Sequence, residues 1–125
     1  MAFGVTPREK NGQKQPTRYY SDKQEKAVAK ATGGRQTSNS GATNFGGKGD
    51  VLLPGNSFLI ECKTKTTPSD SISIRKEWIQ KNAQECAFEG KDYSAIAFNF
   101  GPGEPNYYII DEFLFQDLLD YIENK

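Results

Sequence analysis

Hydrophobic and polar positions follow the helical period of about 3.6 in some stretches of this chain and the strand period of 2 in others. Neither is visible at the start. Gly4, Pro7, Gly12 and Pro16 interrupt a polar stretch carrying Arg8, Lys10, Lys14 and Arg18, which predicts a flexible basic arm over residues 1–18 and a single domain over 19–125. Ser21 followed by Gln24 fits a capping box, and Val28 and Ala31 recur at helical spacing until Gly33-Gly34, so a helix is expected over 21–32. Residues 36–49 are small, polar and glycine-rich and predict a loop of irregular or short extended backbone. Two apolar extended runs follow, 50–53 and 57–65, and the intervening Pro54-Gly55-Asn56 makes them a β-hairpin central to the sheet.

Trp78, Ile79, Ala83, Cys86 and Ala87 then share one broad face of a predicted helix over 75–89, stopped by Gly90. Residues 93–100 predict a buried strand, 101–106 a turn and 107–110 another strand. A last helix starts at Asp111 and is expected to bury Phe113, Leu114, Leu118 and Ile122. The order of helix, strands, helix, strands, helix predicts an α/β domain, a small mixed β-sheet flanked by helices.

Composition narrows the chemistry sharply. The 125 residues include no histidine and only two cysteines, Cys62 and Cys86. Ser-His-Asp and Cys-His catalysis, imidazole-containing zinc sites and a four-thiolate site within one chain are excluded. A metal here must be held by oxygens, which points to Mg²⁺ or Mn²⁺. Two cysteines at non-motif spacing form no disulfide framework, and no stretch near residue 1 has signal-peptide form. Apolar runs such as Phe58-Leu59-Ile60 are far too short to span a bilayer. The expectation is a protein of reducing cytoplasm with no membrane role.

Formal net charge is zero, but its distribution is uneven. Residues 1–35 carry eight Lys/Arg against three Asp/Glu, whereas residues 92–125 carry one against seven. A basic front and an acidic back fit one face meeting phosphates and another facing solvent; a merely solvated mixture has the same pattern.

Candidate chemistry concentrates in the hairpin. On its second strand Leu59, Glu61, Lys63 and Lys65 share one face while Phe58, Ile60 and Cys62 share the other, and Asp50 lies across the hairpin from Glu61 and Lys63. Charges so placed on an apolar strand have two explanations. One is a partly exposed ion pair at the sheet end. The other is a divalent ion held by Asp50, Glu61 and the carbonyl of Cys62, with Lys63 orienting and activating a water for attack on a phosphodiester. Gly46-Gly47-Lys48-Gly49 lacks both the glycine spacing and the Ser/Thr of a phosphate loop, so no nucleotide cofactor is expected. Gln80 faces either the metal site or solvent, Tyr19-Tyr20 either stack on bases or cap a core edge, and Cys62 reads as a small core residue.

Gly49-Asp50 followed after a turn by Ile60-Glu61-Cys62-Lys63 resembles the core of the PD-(D/E)xK nuclease superfamily, and within it the small Holliday junction resolvases of archaea and their viral relatives. Glu25 matches the position of an extra metal-associated carboxylate in the first helix of that group. Arg35 precedes the loop, and Ser38-Asn39-Ser40-Gly41 matches its Ser/Gly-rich DNA-contacting loop. Ile72-Ser73-Ile74-Arg75-Lys76 leads into a long helix, as in those enzymes. The resemblance covers residues 21–120 and departs from the pattern at Gly49, where the motif name has proline, and at Lys26, where arginine is expected.

The resemblance implies a restriction-endonuclease-like core and an endonuclease, dependent on Mg²⁺ or Mn²⁺, that cleaves branched DNA such as a four-way junction. It implies catalytic roles for Glu25, Asp50, Glu61 and Lys63, a metal on Asp50, Glu61 and the Cys62 carbonyl with Glu25 as a further ligand, and DNA contacts from Arg35, Ser38, Ser40, Lys48, Lys65, Arg75 and Lys76. Symmetric cutting of a four-way junction requires two sites, hence a homodimer. Two other functions remain open at this point: a nuclease of the same fold acting on other DNA, restriction-type or end-processing, and a DNA-binding module that does not cleave.

Overall fold

The computed structural model describes residues 16–37 and 50–124. Helix α1 (Thr17–Thr32) starts four residues before its predicted position, with Pro16 at the N-cap and no side chain capping it. Proline's fixed φ and missing N–H suit a helix start, so Pro16 sets the boundary and Ser21 lies inside the helix. Thr17 and Arg18, predicted as arm, therefore belong to α1; residues 1–15 lie outside the described residues. The helix closes at Gly33, whose φ of 79° puts it in the left-handed region and whose N–H donates to the Ala29 carbonyl at 2.9 Å. At Gly34 a Cβ would stand 2.7 Å from Val51 Cγ1 and 2.8 Å from the Leu52 carbonyl oxygen. Only glycine lets the chain pass this close to the sheet.

Five strands follow this turn: β1 (Arg35–Gln36), β2 (Asp50–Leu52), β3 (Phe58–Lys63), β4 (Tyr93–Phe98) and β5 (Tyr107–Ile109), with α2 (Lys76–Phe88) between β3 and β4 and α3 (Glu112–Glu123) after β5. They form one mixed sheet in the order β1-β2-β3-β4-β5. β3 and β4 run parallel, which α2 permits by crossing over between them, and the other three pairs are antiparallel. The predicted hairpin is β2–β3, with β3 at the centre of the sheet. The α/β class is the one expected. Among the described residues no helix is long and apolar enough to cross a membrane.

Alternation along the strands sends side chains to two cores. Val51, Ile60, Cys62, Ala95 and Ala97 pack with Val28 of α1, and Leu52 and Leu59 pack with Cys86 of α2, so the two helices cover opposite faces. The helical faces were less legible than the strands. Ala31 is exposed, as are Ile79, Ala83 and Ala87 of the predicted α2 face. The residues that α2 does bury are Asn82, Glu85 and Cys86. Asn82 Nδ2 donates to the Ala95 carbonyl at 3.0 Å, a bond that turns a polar stripe toward the sheet. On α3 only Leu114 is buried, whereas Phe113, Leu118 and Ile122 are 81%, 43% and 63% exposed.

Candidate active site

Asp50 opens β2 and pairs in register with Glu61 of β3, so the two carboxylates start from neighbouring positions on the face that α2 covers. Glu85 reaches the same place from α2. One carboxylate oxygen from each of the three lies within 4.8 Å of the others. Asp50 is only 2% exposed and Glu85 5%, and Asp50 Oδ1 and both Glu85 oxygens have no hydrogen-bond partner.

Three carboxylates in so dry a place cannot all remain ionised without a counter-charge. Burial, followed by the adjoining Glu61 carboxylate, holds the Asp50 carboxyl well above the usual range. Burial likewise raises Glu85. The cluster must carry protons or a cation. Hard oxygen donors, two of them buried and with oxygens lacking a partner, fit a Mg²⁺- or Mn²⁺-sized ion.

Lys63 makes the one ion pair seen with this cluster among the described residues, and Lys81 on α2 adds a second positive charge that acts on Glu85. The Lys63 Nζ lies 3.3 Å from Glu61 Oε2 and 4.5 Å from the centroid of the Trp78 ring. Strand alternation puts Lys63 on the face of Glu61, and Trp78 in the first turn of α2 supplies a cation–π surface beneath the ammonium. Its carbonyl accepts from Gln24 Nε2 at 2.9 Å, and that nitrogen also lies 3.2 Å from the Ala97 carbonyl, which ties the ends of β3 and β4 to α1. The ion pair envisaged from the sequence is therefore present. Lys63 in contact and Lys81 acting on Glu85 still number fewer than the three carboxylates, a deficit that the ion pair alone does not explain.

Glu25 is not brought into this cluster. It sits on α1, across the sheet from α2, where Gln36 Nε2 donates to its Oε1 at 3.0 Å and to Asp22 Oδ1 at 2.9 Å. Burial raises the Glu25 pKa and the Gln36 hydrogen bond opposes that rise. Cys62 is buried in the α1 core, and burial pushes its thiol up, so its side chain is an inert core group as expected.

The residues assigned to DNA are scattered. Arg35 is exposed on β1, Lys65 is half-buried beyond β3, and Arg75 and Lys76 are exposed where α2 begins; Ser38, Ser40 and Lys48 lie outside the described residues. Gln80 is exposed, as in the solvent-facing reading. Tyr19 and Tyr20 make an edge-to-face pair at 5.2 Å, with Tyr19 exposed.

Sequence reasoning missed Glu85, Asn82 and Gln24. A signal for Glu85 existed, since Trp78, Asn82 and Glu85 recur at i, i+4 and i+7 and so share a helix face, but the search for apolar residues selected Ile79, Ala83 and Ala87 instead. Comparison with protein-family models, curated proteins and solved structures finds no match to this chain.

Proposed function

We propose that the protein is a metal-dependent endonuclease that hydrolyses phosphodiester bonds in branched DNA, with Asp50, Glu61, Glu85 and Lys63 as its active site. The observation that carries this reading is the convergence of three carboxylates within 4.8 Å, with Lys63 Nζ 3.3 Å from one of them. Asp50, Glu61 and Glu85 would hold the ion, which when bound supplies charge neutralisation for the phosphodiester and its departing oxygen. Glu61 fixes the Lys63 ammonium, and the Trp78 ring limits where the long side chain can go. From there its N–H donors orient the attacking water and bind a phosphate oxygen, interactions that strengthen as negative charge accumulates there.

Branched DNA as the substrate, and a pair of copies acting on it, come from the resemblance of the hairpin motif to junction resolvases. The test is a set of matched synthetic substrates, linear, nicked, flapped and four-way, incubated with the full chain and Mg²⁺. The proposal expects paired nicks in the four-way substrate. Equal cutting of linear duplex would reassign the protein to a nuclease of another target, and binding without cutting would make it a non-cleaving module.

A further inference from the structure

A second polar assembly, which the candidate active site does not use, lies at the carboxyl ends of the parallel strands β3 and β4, where open α/β sheets leave room for ligands. Thr64 directly follows β3 and Asn99 directly follows β4, and Thr64 Oγ1 donates to Asn99 Oδ1 at 2.6 Å. Asn106 Oδ1 accepts from Asn99 Nδ2 at 3.3 Å and from Gln24 Nε2 of α1 at 3.0 Å. All four side chains line one cavity of about 140 Å³. A network that served only to close the sheet end would satisfy its members. This one does not. Gln24 is 4% exposed and its Oε1 has no partner. Turning the amide round would set that oxygen against the Lys63 and Ala97 carbonyls and Asn106 Oδ1, all acceptors. Both bonds to Asn106 fall on Oδ1, so its Nδ2 is a donor without a partner among the described residues.

We infer that this cavity receives one unpaired pyrimidine base of a DNA strand. A cavity of about 150 Å³ takes a benzene-sized ring, so this one suits a single six-membered ring better than the fused rings of a purine. A pyrimidine carries carbonyl oxygens for the Asn106 donor and an N–H for an acceptor, which the Glu104 carboxylate in the lining and the unmet Gln24 Oε1 offer. Tyr20 adds a ring to the same lining, and aromatic rings are the platforms on which unpaired bases stack. Lys23, exposed and also in the lining, offsets the Glu104 charge toward the phosphates of the strand. Thr64 is the residue after Lys63, so the cavity opens beside the end of the strand that carries the proposed catalytic lysine. A branch point, where pairing is interrupted, supplies such a base.

The inference rests on the nuclease reading only for its choice of DNA, and its test reads binding in chelator, where metal-dependent cutting does not occur. Twelve-nucleotide strands of stable abasic units, carrying one central dT, dC or dA or no base at all, share their phosphates and differ in a single base. The full chain should bind the dT and dC strands at least about fivefold more tightly than the dA and base-free strands. Asn106→Asp keeps the oxygen that Gln24 and Asn99 need and removes the free donor, and Ala27→Phe fills the cavity from an exposed position on α1. Each should remove the dependence on the base while leaving the circular dichroism spectrum unchanged. Read as a ratio of affinities, the result is indifferent to the charge that the aspartate adds. Equal affinity for all four strands overturns the inference, as does no measurable binding to any, a preference that survives in either folded variant, or free thymidine bound as tightly as the dT strand. Base preference without cleavage of any branched substrate in Mg²⁺ would instead remove the nuclease reading and leave the assignment of the cavity standing.

Discussion

Asp50 and Glu61 occupy one register position of the β2–β3 pair, and Glu85 of α2 brings a third carboxylate onto them. Like charges in that arrangement destabilise the fold unless something neutralises them, which gives the site a signature in stability as well as in turnover. In chelator, Glu85→Gln should raise stability, because it removes one carboxylate from a buried, crowded set. In Ca²⁺ or Mg²⁺ the order should reverse, because the variant has lost a ligand. Thermal melts of both proteins with and without the ion check this; a variant less stable in chelator would mean that Glu85 has a partner in the fold.

The pH dependence follows with a definite sign. Asp50 and Glu85 have folded-state pKa values above their unfolded ones, so between the ordinary carboxylate range, about pH 4, and the raised values the folded state holds more protons. Stability contributed by these groups is therefore lost as pH rises through that window. Asp22, lowered by its Gln36 hydrogen bond and the Lys26 pair, acts in the opposite sense from a more exposed position. The melting temperature in chelator should fall from mildly acidic to neutral pH, and saturating divalent ion should flatten the fall. A melting temperature that rises over the same range would contradict the assignment.

Trp78 is expected to act through Lys63. A cation–π contact at 4.5 Å is worth about 0.5–2 kcal/mol, so Trp78→Leu should slow cleavage by up to about thirtyfold while leaving junction affinity near its original value. Trp78→Phe retains a ring face and should recover part of the rate. Single-turnover rates and binding curves for both variants would distinguish this from a loss of fold, which lowers binding as well.

Glu25 separates the family resemblance from the observed geometry. The resemblance asks for at least a tenfold loss of cleavage in Glu25→Gln. The geometry instead gives Glu25 a hydrogen bond from Gln36 on the opposite face of the sheet, and glutamine keeps an acceptor there. The expected result is turnover within about twofold of the unaltered protein and a stability change of about 1 kcal/mol or less.

The strands were legible because their pattern has a period of 2 and two buried faces to satisfy. Phe58, Ile60 and Cys62 separated correctly from Leu59, Glu61 and Lys63, and with them came the pairing of Asp50 with Glu61 and the placement of Lys63. The helices were read by the same rule, that apolar residues point inward; it placed Val28, Cys86 and Leu114 correctly and failed for most of the other apolar positions. On α2 the inward side is set by Asn82 and by Glu85, polar residues that a hydrophobic search discards. On α3 the apolar stripe exists but lies mostly exposed, so burial could not be deduced from it. The start of α1 was misplaced because Ser21 and Gln24 imitate a cap four residues inside a helix that begins after Pro16.

The most direct measurement is single-turnover cleavage of a synthetic four-way junction by the full chain in Mg²⁺, beside the same reaction in chelator and with Glu61→Ala. The account predicts strand nicks in Mg²⁺ alone, abolished by chelator and reduced by a factor of about 10² or more in a folded Glu61→Ala that still binds the junction. Cleavage that survives in Glu61→Ala, or a folded, junction-bound protein that cuts nothing in Mg²⁺ or Mn²⁺, would contradict it.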